Sequence, residues 1–181
     1  QGWFAYYTTV KQSYCQGWQE KNDIAGYIQD GSGLIYEYTN MTDCYWLINP
    51  QGYAYDSVSG ITLSFNEFAT EENNDILTIY DGSTINHPVL ANSSGNNYPA
   101  EINTTSNRML LNFQTNEIIT NDGFSVRYSL QLPVYCQDTF LITDSYGSIA
   151  DGSGTKRYSN NSDCYWLIYP GDDPDTLFLS F

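Results

Sequence analysis

Positive charge is scarce in this sequence. It has 6 lysines and arginines against 21 aspartates and glutamates, a formal net charge of −15. Without a basic stripe it cannot neutralise a run of phosphates, which argues against nucleic-acid binding. An acidic surface suits cations, basic partners or plain solubility. Histidine occurs once, as His87 in Asn86-His87-Pro88, a loop-like tripeptide, and no Gly-x-Ser-x-Gly elbow is present. A nucleophilic triad therefore lacks its base, and the expectation is that the chain is not an enzyme. The acidity leaves a carboxylate pair of the glycosidase kind open, but no pair is singled out for that role. No apolar run approaches the ~20 residues that cross a bilayer as a helix. No segment shows a capped helical stripe. Gln1 opens a polar-aromatic segment unlike a leader, so any secretion signal is expected upstream or already removed.

Hydrophobic residues make up 41 % of the chain and aromatics 16 %, with 17 tyrosines. That is enough apolar surface for a packed core, in residue types that favour strands. The pattern is period-2. Phe124, Val126, Tyr128 and Leu130 alternate with Ser125, Arg127 and Ser129. Ile61, Leu63 and Phe65 alternate with Thr62 and Ser64, and Met109, Leu111 and Phe113 with Leu110 and Asn112. Trp46 and Ile48 share a face between Tyr45 and Leu47, while Trp3 and Trp18 have no assignment. Short strands separated by Gly, Asn and Asp turns, such as Asp81-Gly82 after Asp75–Tyr80, imply an all-β sandwich.

The sequence repeats. Gly26-Tyr27-Ile28-Gln29-Asp30-Gly31-Ser32-Gly33 returns as Gly147-Ser148-Ile149-Ala150-Asp151-Gly152-Ser153-Gly154. Asp43-Cys44-Tyr45-Trp46-Leu47-Ile48 returns unchanged as Asp163-Cys164-Tyr165-Trp166-Leu167-Ile168, and Leu63-Ser64-Phe65 as Leu179-Ser180-Phe181. Gly2-Trp3-Phe4 through Tyr14-Cys15 parallels Gly123-Phe124 through Tyr135-Cys136. The repeat length of roughly 120 residues is that of a whole domain rather than a solenoid unit. Three segments follow. Residues 1–14 are expected to be the last strand and linker of a preceding module, 15–132 a complete module, and 133–181 a linker and the first part of a following one. The chain reads as a window on a longer array, and neither end is expected to close a sandwich by itself.

The four cysteines allow three pairings. Their repeat positions select Cys15–Cys44 and Cys136–Cys164. A zinc site is the competing reading, and it lacks both a CxxC pair and a second histidine. Disulfides imply an oxidising, extracellular compartment. Four N-x-S/T sequons occur, at Asn40, Asn92, Asn103 and Asn160. Asn40 and Asn160 fall at the same repeat position, which favours an exposed turn.

The ordered residues resemble the CUB family. They are Cys15, Gly26-x-Ile28, Tyr38-x-Asn40, Cys44-x-Trp46-x-Ile48-x-Pro50 and Phe65-x-x-Phe68-x-Thr70-Glu71. Then follow Asp75-x-Leu77-x-Ile79-x-Asp81-Gly82, Leu111-x-Phe113 and Gly123-Phe124-x-x-x-Tyr128. The resemblance implies an antiparallel two-layer β-sandwich of jelly-roll type, used for protein or glycan binding in secreted and cell-surface proteins. A second disulfide found in many members has no counterpart here.

Glu71, Glu72 and Asp75 stand close together in the sequence. Calcium takes several converging oxygens, and solvated loop acids are the plainer reading of such a cluster. The resemblance implies Ca²⁺ bound by Glu71, Asp75 and Asn116, with Asn116 where the family has Asp and Asn74 where it often has Tyr. A carboxylate at such a site can also accept a basic side chain of a partner. The expected function is a noncatalytic structural or adhesive protein of tandem modules, calcium-assisted, forming a stalk, coat or fibre with further modules or copies of itself. The alternative is an accessory recognition region of a larger secreted enzyme such as a protease.

Overall fold

A computed structural model describes residues 2–7, 14–33, 35–50, 58–98, 100–155, 158–159, 161–171 and 176–181. The chain divides into two compact units. Unit 1 comprises Gln1–Gln51 and Val58–Gln131, and unit 2 comprises Gly52–Ser57 and Leu132–Phe181.

Unit 1 contains β1 (Gly17–Lys21), β2 (Ala25–Gln29), β3 (Asp43–Ile48), β4 (Gly60–Ala69), β5 (Ile76–Tyr80), β6 (Val89–Ser93), β7 (Glu101–Asn103), β8 (Met109–Gln114) and β9 (Gly123–Gln131). They form a five-stranded sheet in the order β1-β3-β8-β5-β6 and a four-stranded sheet in the order β2-β9-β4-β7. The alternation in the sequence sets which face of each strand is buried. Trp46, Ile48, Met109, Leu111, Phe113, Leu77 and Ile79 come from the first sheet, and Ile28, Ile61, Leu63, Phe124, Val126 and Tyr128 from the second, all buried. Edge-to-face contacts join the layers, with Trp46 and Phe124 centroids 5.6 Å apart and Phe113 and Phe124 centroids 5.2 Å apart.

Within unit 1, one pairing departs from the all-antiparallel expectation. β1 runs parallel to β3, with Gly17 opposite Cys44. The Cys15–Cys44 disulfide ties the leading ends of both strands together, so they must run the same way. β2 crosses to the other sheet between them, supplying the connection that a parallel pair needs.

β4 is longer than its first alternation suggests. A bulge between Phe65 and Glu67 shifts the register against β9, so Phe68 also packs inward. The strand is thereby carried on to Ala69, and it delivers Thr70 and Glu71 to the end of the sandwich.

Unit 2 holds β10 (Gln137–Ile142) and β11 (Asp163–Ile168), also parallel, with the Cys136–Cys164 disulfide at their leading ends. Their local backbone matches unit 1. Gly17 and Asp138 both take positive φ, as do Met41 and Asn161, Gly31 and Gly152, and Gly33 and Gly154. Residues 176–181, expected to resemble the start of β4, form no strand, and neither do residues 2–7, expected as a last strand. In unit 1 the corresponding strands are held by ladder partners, β9 with β2 and β4, and β4 with β9 and β7. No such pairing reaches residues 2–7 or 176–181 among the described residues.

Candidate functional site

At one end of unit 1 the turn between β4 and β5 meets the loops before β3 and after β8. Thr70 anchors the turn. Its backbone N–H donates to the Gly95 carbonyl at 2.9 Å, and its hydroxyl donates to the Asp75 carbonyl at 2.9 Å. The Asp75 N–H returns to the Glu71 carbonyl at 3.2 Å, and Asn73 takes positive φ inside the turn. This closes residues 71–75 so that the Glu71 and Asp75 side chains project toward the same point. The other two loops are zipped together. Met41 N–H donates to the Asn116 carbonyl at 2.7 Å, and Thr115 N–H to the Thr42 carbonyl at 3.0 Å.

The three residues that the resemblance assigns to calcium do meet. Asp75 is 0 % exposed. Its Oδ1 accepts the Asn116 backbone N–H at 2.7 Å, and its Oδ2 accepts the Tyr38 hydroxyl at 2.5 Å. The Tyr38 oxygen in turn accepts the Glu71 N–H at 2.9 Å. Burial pushes the Tyr38 phenol well above the ordinary tyrosine value, and the adjacent Asp75 carboxylate reinforces the shift, so the hydroxyl stays a donor. Asn116 Nδ2 donates to Glu71 Oε2 at 2.6 Å, and Asn116 Oδ1 accepts the Ile118 N–H at 2.7 Å.

This donor set differs from the expected one. Calcium takes six to eight oxygens. Here Asn116 turns an N–H toward Glu71, and its one side-chain oxygen is already held by Ile118. As arranged, Asn116 presents an N–H to Glu71 where the resemblance implies an oxygen ligand. The physical reason is the amide at Asn116. Glu72, the third acid of the sequence cluster, is exposed and lies against Gly95.

Two residues of this end were quoted in the sequence motifs without a role. Tyr38 is the link between Glu71 and Asp75. Asp30, 2 % exposed, accepts the Ser32 N–H at 2.8 Å and the Phe124 N–H at 2.6 Å, stapling the end of β2 to the start of β9. Gly123, with φ +84°, is required beside it, since a Cβ there would stand 2.1 Å from Asp30 Oδ2. The exact return of Asp30-Gly31-Ser32-Gly33 as Asp151-Gly152-Ser153-Gly154 was the signal. Asp151 likewise accepts the Ser153 N–H, at 3.0 Å, and hydrogen bonds from Ser153 hold its carboxyl below the usual range.

The remaining predicted residues are placed as follows. Asn40 lies on an exposed turn, Asn92 is exposed on β6, and Asn103 is exposed at the end of β7. Asn103 Oδ1 accepts from Thr62 and Gln131 and its Nδ2 donates to Glu101. Asn160 lies outside the described residues. His87 bonds to Thr84 within a turn, and its Nδ1 is 2.8 Å from the Thr84 hydroxyl. Trp18 is half exposed and stacks on Tyr45 at 5.3 Å. No helix among the described residues is long and apolar enough to cross a membrane.

The chain is similar to known proteins. Dog cubilin is 28 % identical over 150 residues, which is 80 % of this chain and 4 % of cubilin. The exoskeleton protein RP43 of Riftia pachyptila is 31 % identical over 137 residues, 72 % of this chain and 30 % of RP43. The chain thus spans a small part of these relatives. The fold matches the solved MASP-1 CUB2 domain bound to Ca²⁺, with a TM-score of 0.50 and 21 % identity, covering 61 % of this chain and 96 % of that one. The CUB domain profile matches residues 15–128, from Cys15 through Tyr128 in β9, and the chain belongs to the CUB domain family.

Proposed function

We propose that this chain is part of a noncatalytic extracellular protein made of consecutive CUB modules, with a structural or adhesive role. The observation that carries this reading is the repeat. A second disulfide-clasped parallel strand pair, β10–β11, follows unit 1 with residues 132–136 alone between β9 and β10. So short a connector limits hinge freedom and suits a stalk, coat or fibre. The match to an exoskeleton protein supports the same reading. Two disulfides suit an oxidising compartment.

The partner surface we assign is the acidic end described above, where Glu37, Glu71, Glu72 and Glu117 stand on neighbouring loops. It suits a basic side chain of a protein partner or of another copy, through a carboxylate oxygen such as Glu71 Oε1. A metal ion, as in the MASP-1 CUB2 structure, would require the Asn116 amide to turn.

Electron microscopy of the native, full-length protein tests the structural role. Filaments or layered sheets are the expected result. Compact particles that carry a catalytic domain and its activity overturn it in favour of an accessory region of an enzyme.

A further inference from the structure

We infer that the Asn116 side-chain amide takes the place of a metal ion in this domain, so that the loops after β4 and β8 keep their shape without calcium. The orientation of the amide follows from a group that leaves no choice. The Ile118 backbone N–H can only donate, and it lies 2.7 Å from one side-chain atom of Asn116, so that atom is the oxygen. The other atom is then the NH₂, 2.6 Å from Glu71 Oε2. Turning the amide would oppose two donors at Ile118 and two acceptors at Glu71, which are repulsive contacts on both sides.

The resemblance places an aspartate at this position. With a carboxylate in place of the amide, one oxygen could still accept from Ile118, and the second would face the Glu71 carboxylate at hydrogen-bond distance. Two carboxylates so placed repel and call for a cation between them. Asparagine removes one negative charge and supplies a partial positive one at that point. The oxygens of Asp75 each accept one hydrogen bond, from the Tyr38 hydroxyl and from the Asn116 backbone N–H, so this carboxylate is held by protein donors. Each loop is tied to the next by a protein hydrogen bond where a cation would otherwise join them.

The full chain is stripped with EDTA and melted with and without about 5 mM CaCl₂, a level that fills typical extracellular calcium modules. Magnesium at the same concentration is the control. The wild-type midpoint for unit 1 is expected to move by no more than about 1 °C, because a ligand that does not bind the native state cannot stabilise it. Asn116→Asp is expected to melt lower than wild type in EDTA and to gain roughly 5 °C or more on adding calcium but not magnesium. A calcium-dependent rise in the wild type, or an N116D variant that equals wild type in EDTA and ignores calcium, overturns the proposal. Should N116D fail to fold, ¹⁵N spectra of metal-free wild type decide. The Asn116 side-chain NH₂ signals are expected to be protected from exchange and unchanged by calcium. A saturable shift of those signals on adding calcium refutes the assignment.

Discussion

Removing one oxygen atom, by Tyr38→Phe, tests how much the buried network contributes. The ring is 2 % exposed and packs edge-on against Phe113 at 5.3 Å, so phenylalanine fits the same space. The hydroxyl makes two bonds, donating to the Asp75 carboxylate and accepting from the Glu71 N–H. A bond to a charged group contributes ~1.5–3 kcal/mol and a neutral one ~0.5–1.5 kcal/mol, and both former partners stay in place without it. The expected loss is therefore about 3 kcal/mol. Unfolding entropy near ~2.1 cal/mol/K per residue, over the matched domain, gives roughly 4 °C per kcal/mol, so the midpoint should fall by about 12 °C. Circular dichroism melts of the full chain at neutral pH in EDTA read this directly. Tyr158→Phe is the control, since Tyr158 is the repeat equivalent of Tyr38 and is exposed, and it should be neutral. A Y38F midpoint within about 2 °C of wild type would show that the network contributes little and that the reasoning is wrong.

Gly123→Ala combines φ +84° with a Cβ 2.1 Å from Asp30 Oδ2, so it should cost about 3 kcal/mol or more in urea unfolding, whereas Gly2→Ala, which meets nothing within 4 Å, should be silent. Burial alone would raise the Asp81 carboxyl, but hydrogen bonds from Thr105 and Ser106 outweigh it and hold the group below its ordinary value. Asp81 therefore stabilises the fold at pH above the ordinary aspartate range, near ~4, and that contribution disappears as pH falls through its lowered value. Melts from pH 5 downward should show a steeper acid loss in wild type than in Asp81→Asn, and parallel curves would remove Asp81 from the account. Expressed in a glycosylating host, the chain should carry sugar at Asn40 and Asn92, read as mass lost on deglycosylation. Asn103 should be occupied least, because its side chain is bonded to Thr62, Gln131 and Glu101.

The inward set Trp46, Ile48, Met109, Leu111, Phe113 was legible from period-2 alternation, but the burial of the intervening Leu47, Leu110 and Asn112 was not, because alternation marks one face of a strand and says nothing of what covers the other. The direction of β1 relative to β3 was not legible, since alternation carries no strand direction. The bulge after Phe65 was hidden for a related reason: it changes the register of Phe68 without changing residue composition. The meeting of Glu71, Asp75 and Asn116 was reachable only through the family resemblance. What the residues do on meeting was not, because an amide has two ends and only the Ile118 N–H decides which one faces Glu71. Tyr38 and Asp30 went unassigned because a buried polar group acquires its role from partners far away in sequence.

The disulfide that fixes the parallel pair also decides how the domain would bear load. Tension entering at Cys15 passes through the sulfur bridge to Cys44 and skips the intervening segment, which holds β1 and β2. Pull then acts between β3, which has β1 and β8 on its two sides, and β9, which has β2 and β4 on its two sides. Neither loaded strand lies at an edge, so neither can be peeled off one bond at a time; each must shear two ladders together. The bridged loop spans a sequence separation of 29, which at ~3.5 Å per residue withholds roughly 100 Å of chain from extension. A reducing environment would release that slack.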